Sequence, residues 1–99
     1  MREKRKRRVS IEQDVLINRS QRGTALDLNE NGMYVYTRAN VVPQSVIELS
    51  FALDGEEIAV TAKVEHAQPG IGFGASFVNP EEGVARRIKA FVEELRGRR

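Results

Sequence analysis

Two short stretches of this 99-residue chain concentrate side chains able to do chemistry. The first is REKRKRR, Arg2 to Arg8, with six cations and one acid. Arginine carries a planar fork that holds a phosphate bidentately and also matches the O6/N7 edge of guanine. A basic run of this kind is a local anion site, a nucleic-acid arm or a solvated tail. No aromatic residue is interleaved with it, which counts against single-strand stacking there. The second stretch is DLNENG, Asp27 to Gly32. An ionised aspartate only accepts hydrogen bonds, so Asp27 complements the N1–H and N2–H₂ donors of guanine, while the amide of Asn29 both donates and accepts. Gly32 allows a ligand or a neighbouring chain segment to come close. The same six residues serve equally well as a plain strand connection, with Asn31-Gly32 as a positive-φ turn and Asp27 capping the backbone.

Catalytic readings find little support. The one histidine, His66, has no second histidine and no cysteine to make a metal site or a nucleophile–base pair; it reads as a surface or half-buried strand residue. The pairs Glu56-Glu57 and Glu93-Glu94 are adjacent along the chain and fit a solvated face. GIGFG, residues 70–74, lacks the lysine and the helix start of a phosphate loop, and its phenylalanine belongs to a strand. Its glycines let a strand bend or admit a close neighbour. No catalytic residue, metal ligand or cofactor is assigned.

The elements that must position the two stretches are mostly strands. Period-two alternation places Val9, Ile11, Val15 and Ile17 on one face, with an irregularity near Gln13 and Asp14. GTALDL and GMYVYT follow as two more strands. Ile47, Leu49, Phe51 and Leu53 alternate in a fourth, Ile58, Val60, Ala62 and Val64 in a fifth, and Ile71, Phe73, Ala75 and Phe77 in a sixth. Asp54-Gly55 is a type I′ hairpin signal, since both central positions of that turn need positive φ. Six short antiparallel strands leave two exposed edges unless the sheet closes, which favours a small barrel. The period then changes. Asn79 reads as an N-cap with Pro80 at the first helical position, followed by Val84, Ile88, Phe91, Val92 and Leu95 at helical spacing and arginines at the end. That apolar stripe belongs against an open end or seam of the barrel, or against a partner helix in a dimer.

One domain fits this length. Its parts are a flexible basic arm at 1–8, a barrel at 9–78 and a helix at 79–96. The formal charge of +2 conceals an asymmetry: residues 1–8 carry +5 and residues 96–99 carry +3, leaving −6 on the body. Positive charge is confined to the ends, so a generic polyanion-binding face is disfavoured and nucleic acid is not the expected partner. Absence of cysteine accords with a reducing cytoplasm. No apolar run approaches the roughly 20 residues of a membrane span.

Taken together these pieces resemble the PilZ domain, a bacterial receptor module for cyclic di-GMP. The family pattern is RxxxR just before the first strand and [D/N]xSxxG between the second and third; KRKRRVSI and DLNENG occupy those places, and GIGFGASFVNPEEGVARRIKAFVEEL looks like the family's last strand and helix. The resemblance implies a mainly β fold, a six-stranded antiparallel barrel of the split-barrel type with one C-terminal helix. It implies cyclic di-GMP as ligand, contacted by Arg8, by Lys4 or Arg5, and by Asp27, Asn29 and Gly32. The arm would close over the dinucleotide and signal to a protein partner, in a cytoplasmic monomer or homodimer. Two positions depart from the pattern. Lys4 stands where the first arginine is expected and lacks the planar fork, and Asn29 replaces serine. The alternative those departures raise is a degenerate domain that binds no cyclic di-GMP and serves as a protein–protein interaction module.

Overall fold

A computed structural model of the chain describes residues 9–97. The proposed arm at 1–8, with Lys4, Arg5 and Arg8, lies outside the described residues.

Six strands form: β1 (Val9–Ile17), β2 (Gln21–Asn29), β3 (Gly32–Tyr36), β4 (Val46–Leu53), β5 (Glu56–Gln68) and β6 (Gly72–Phe77), followed by the helix α1 (Glu82–Gly97). All pairings are antiparallel, and the strands close into a barrel in the order β1-β2-β3-β6-β5-β4. Closure leaves no full-length edge to recruit another chain. The alternation read from the sequence fills the interior. Val15, Ile17, Ile47, Leu49, Phe51, Leu53, Ile58, Val60, Ala62, Val64, Phe73 and Ala75 are all buried, with Leu28, Met33 and Val35 from β2 and β3. Asp54 and Gly55 take φ of 52° and 81°, the two left-handed residues that a type I′ turn between β4 and β5 requires.

Three strands carry register shifts: β1 between Ser10 and Gln13, β2 between Ala25 and Asp27, and β5 between Val64 and His66. The first falls a step earlier than the irregularity expected at Gln13 and Asp14. Bulges bend a strand and redirect its side chains, which is how so short a sheet closes. The closure is uneven, because β1 and β4 pair only at Leu16–Ser50 and Ile17–Leu49.

Helix α1 packs against β1 and β4, which flank that narrow seam, and against β2 beside β1. Its buried residues are Ile88 and Val92, with Val84 and Phe91 partly covered. Full burial of side chains this size contributes roughly 1.5–3 kcal/mol each, so the apolar stripe is satisfied within its own chain.

Two boundaries differ from the sequence expectation. The helix starts at Glu82, and its first turn closes through the Ala85 N–H donating to the Glu81 carbonyl at 2.8 Å. Asn79 is no N-cap: its φ is +41°, in the left-handed region that asparagine tolerates better than most residues. The cause lies one residue earlier, where Val78 N–H still donates to the Thr61 carbonyl at 2.8 Å, so the chain turns sharply at Asn79 before it can coil. Similarly, Ile71 lies in the β5–β6 turn and is 51% exposed instead of joining Phe73 and Ala75 inside.

Candidate functional site

Asp27, Asn29 and Gly32 come together at the β2–β3 connection. Asn29 and Gly32 are cross-strand partners, which leaves Glu30 and Asn31 as a two-residue loop. Neither loop residue nor Gly32 has a positive φ, so the left-handed turn expected from Asn31-Gly32 does not form. A side chain closes the loop instead. Asn29 Oδ1 accepts from the Asn31 N–H at 2.7 Å and from the Gly32 N–H at 3.0 Å, the bonding of an Asx turn. Asn29 is only 6% exposed, so both bonds are sheltered from water. A serine hydroxyl can make the same kind of local closure more weakly. Asparagine at this position therefore keeps a turn-closing acceptor.

Gly32 is required for a different reason than backbone freedom. A Cβ at this position would overlap the Ala75 carbonyl oxygen and crowd the Ser76 Cα at 3.1 Å. Its close neighbour is therefore the backbone of β6, paired with β3 through Gly32–Ser76 and Met33–Ala75.

Asp27 follows the β2 bulge. Its neighbours Ala25 and Leu28 are fully buried, Leu26 is exposed and Asp27 itself is half-buried on the outer side. Asp27 Oδ1 accepts from the Tyr34 N–H at 3.1 Å, a side-chain bond alongside the β2–β3 ladder. The expectation that Asp27 caps backbone is met, through Tyr34 instead of the loop.

The register of β1 sets its first residues against the strand that leads into this turn. Val9 is the Cα partner of Leu28, and Ser10 of Asp27. The first described residue of the barrel thus lies directly beside the motif.

The sequence reading missed a contact from the far end of the chain. Arg96, in the last turn of α1, places Nη2 3.5 Å from Glu30 Oε1, with the two side chains 28% and 15% exposed. Nothing in the local sequence pairs these residues; only the packing of α1 across β1 and β2 brings them together. His66, read as an isolated strand residue, is exposed on β5 with its ring over Gly74.

A separate open groove of about 700 Å³ spans the β1–β4 seam, with Asp14, Arg22, Arg38 and Ser50 in its wall and none of the β2–β3 turn residues. Among the described residues no three histidine, cysteine or carboxylate side chains converge as a metal site would need. None of the described helices is long and apolar enough to cross a membrane.

A closed six-stranded antiparallel barrel with a C-terminal helix across its seam, and a polar β2–β3 turn beside the start of its first strand, defines a compact class of module. The PilZ domain family model matches residues 1–94, and the chain belongs to that family. No curated protein matches the chain in sequence. Among solved structures, the Bacillus subtilis inhibitor of motility MotI/DgrA superposes with a TM-score of 0.80 at 16% identity, over 100% of this chain and 55% of that one. The chain thus spans about half the length of that protein. The PilZ domain of CeSA from a cellulose-synthesizing bacterium gives 0.71 at 20% identity, covering 91% of this chain and 98% of that one. The Borreliella burgdorferi PlzA protein, solved in complex with c-di-GMP, gives 0.62 at 16% identity, covering 91% and 41% respectively. At these identities the likeness is one of fold.

Proposed function

We propose that the protein is a cyclic di-GMP receptor in which the basic segment before β1 closes over a dinucleotide held at the β2–β3 turn, and that this closure is passed to a protein partner. The observation that carries the reading is the register of β1. With Val9 opposite Leu28 and Ser10 opposite Asp27, the start of β1 lies beside the strand that carries Asp27 and Asn29, the position from which a preceding basic segment can reach them. Membership of the PilZ family and the c-di-GMP complex of the similar PlzA structure support the same ligand.

Electrostatics explain why the segment is needed. Residues 9–95, carrying −6, repel a ligand with two phosphates, whereas the +5 of residues 1–8 attracts it. Arg8 and Arg5 supply bidentate contacts to phosphate and to the guanine O6/N7 edge, and Lys4 supplies charge without the fork. Asp27 offers further carboxylate acceptor capacity to the guanine N1–H and N2–H₂. Asn29 and Gly32 act by holding the turn and its approach to β6. Neutralising the cationic segment on binding replaces mutual repulsion with compensated contacts, a differential interaction able to shift a population.

Calorimetric titration of cyclic di-GMP into the wild type and Arg8→Ala tests the reading. Saturable binding that weakens at least tenfold in Arg8→Ala is the expected result. No heat at high micromolar nucleotide, in folded protein at low salt, would overturn it. Lys4 and Asn29 motivate the second reading, a domain that meets its protein partner without nucleotide. That version requires Lys4→Arg with Asn29→Ser to create binding where the wild type has none.

A further inference from the structure

The bulges of β2 and β5 and the glycines of β6 meet on one outer face of the barrel. The register runs from Asp27 to Tyr34, from Tyr34 to Gly74 and from Gly74 to His66, so these four residues form a single row across β2, β3, β6 and β5. A bulge stands at each end of that row, at Asp27 on β2 and at His66 on β5. Inside the barrel the same strands bury Val35, Phe73 and Val64, so the row faces outward.

Both ring-bearing members lie down on glycine. The Tyr34 hydroxyl donates to Gln68 Oε1 at 2.8 Å. Tyr34 is on β3 and Gln68 on β5, with β6 between them. To span two strand spacings of roughly 4.8 Å each, the tyrosine must run along the sheet instead of standing up from it. It crosses at Gly72, where an added Cβ would meet Tyr34 Oη at 3.0 Å and Cε2 at 3.1 Å. His66 does the same over Gly74, with Cε1, Nε2 and Nδ1 at 2.8, 3.0 and 3.6 Å from the position of a Cβ. Any larger residue at 72 or 74 would lift these rings. The neighbouring row, Asn29 to Gly32 to Ser76 to Lys63, adds a cation to the same face.

We infer that Tyr34 and His66 form a flat aromatic shelf that takes one purine of the bound dinucleotide face-on. This inference rests on the receptor reading above and extends it to a second part of the ligand. Asp27 is the Cα partner of Tyr34, so the shelf begins on the strand next to the Asp27 carboxylate and continues across β6 to His66. A π-face held flat by backbone and by the Gln68 bond costs little ordering entropy when a base stacks on it. Stacking of this kind carries substantial affinity in other nucleotide-binding proteins.

The rings also shield the β6 backbone, so the test keeps that shield. In Tyr34→Leu and His66→Leu an apolar side chain still covers the glycine, but the π-face is gone. Calorimetric titration of cyclic di-GMP is expected to give about tenfold weaker binding for Tyr34→Leu, and several-fold weaker for His66→Leu, at unchanged melting temperature. Tyr34→Phe keeps the ring and is expected to bind within about threefold of wild type. A wild type that binds while both leucine variants match it overturns the shelf and leaves the receptor standing; a wild type that does not bind removes both. Should a leucine variant fail to fold, the aromatic NMR spectrum of the wild type decides. Upfield shifts of the Tyr34 and His66 ring protons on saturation are expected, and unmoved ring resonances in a saturated complex overturn the shelf.

Discussion

Arg96 Nη2 stands 3.5 Å from Glu30 Oε1, so the last turn of α1 is tied to the loop between β2 and β3. Glu30 lies between Asn29 and Asn31, the residues that close the loop. A ligand that moves this loop therefore acts directly on the end of the helix, and the helix touches β1, β2 and β4. The helix thus touches both the β2–β3 turn and strands on either side of the barrel seam.

That coupling is measurable in the absence of ligand. The pair is only partly exposed, so it is worth more than a fully solvated one. Arg96→Gln is expected to cost about 1 kcal/mol in urea denaturation. Amide exchange should quicken in the last turn of α1 and at the β2–β3 loop together. Faster exchange in the helix alone would show that the two ends are independent.

Asn29 offers a sharper test of how the turn is held. Removing its side chain leaves the sheltered Asn31 and Gly32 N–H groups without that acceptor. Asn29→Ala is expected to destabilise the fold by about 2 kcal/mol. Asn29→Ser, which retains a hydroxyl acceptor, should lose less than half as much. Equal losses in denaturant titration would mean that the Asx bonds contribute little.

Glycine at 32 and glycine at 83 are expected to respond with opposite signs. An alanine at 32 would drive its Cβ into the Ala75 carbonyl, which belongs to a paired strand and has no room to yield. Gly32→Ala is therefore expected to cost about 3 kcal/mol or more. Gly83, in the first turn of α1, has nothing within 4 Å of an added Cβ. Gly83→Ala should stabilise by about 0.5–1 kcal/mol, since alanine restricts the unfolded chain and favours the helix. Thermal melts of the two variants check both signs.

How much of this was readable in advance depends on whether the cause was local. The alternation in Ile47, Leu49, Phe51 and Leu53 is a local consequence of the pleat, and all four are buried. Asp54-Gly55 encodes its turn in the two residues that adopt it. Asn31-Gly32 looks the same in sequence but is decided by its surroundings: β6 presses on Gly32, and Asn29 satisfies the loop amides, so no left-handed residue is needed. Asn79 likewise reads as a helix cap until the bond from Val78 to Thr61 forces a turn there. Asp27, Asn29 and Gly32 could be grouped because a hairpin keeps neighbours together. Glu30 with Arg96, and Tyr34 with His66, could not, since barrel closure and helix docking create those pairs.

Salt dependence separates a dinucleotide site from a nucleic-acid arm. An arm that neutralises many phosphates releases condensed counterions, and its affinity falls by about 10³-fold or more between about 50 and 200 mM salt. A cyclic dinucleotide has two phosphates and no condensed counterion sheath, so only ordinary screening applies. Cyclic di-GMP binding is therefore expected to weaken by no more than about tenfold over that range. Deleting residues 1–8 should abolish binding, because the remaining protein then carries a net negative charge, while the melting temperature stays within a few degrees of the full chain, the core residues all lying from Val15 onward. Isothermal titration of both forms at the two salt concentrations gives the answer. A steep salt slope with equal affinity for unrelated polyanions would assign the basic segment to nucleic acid instead.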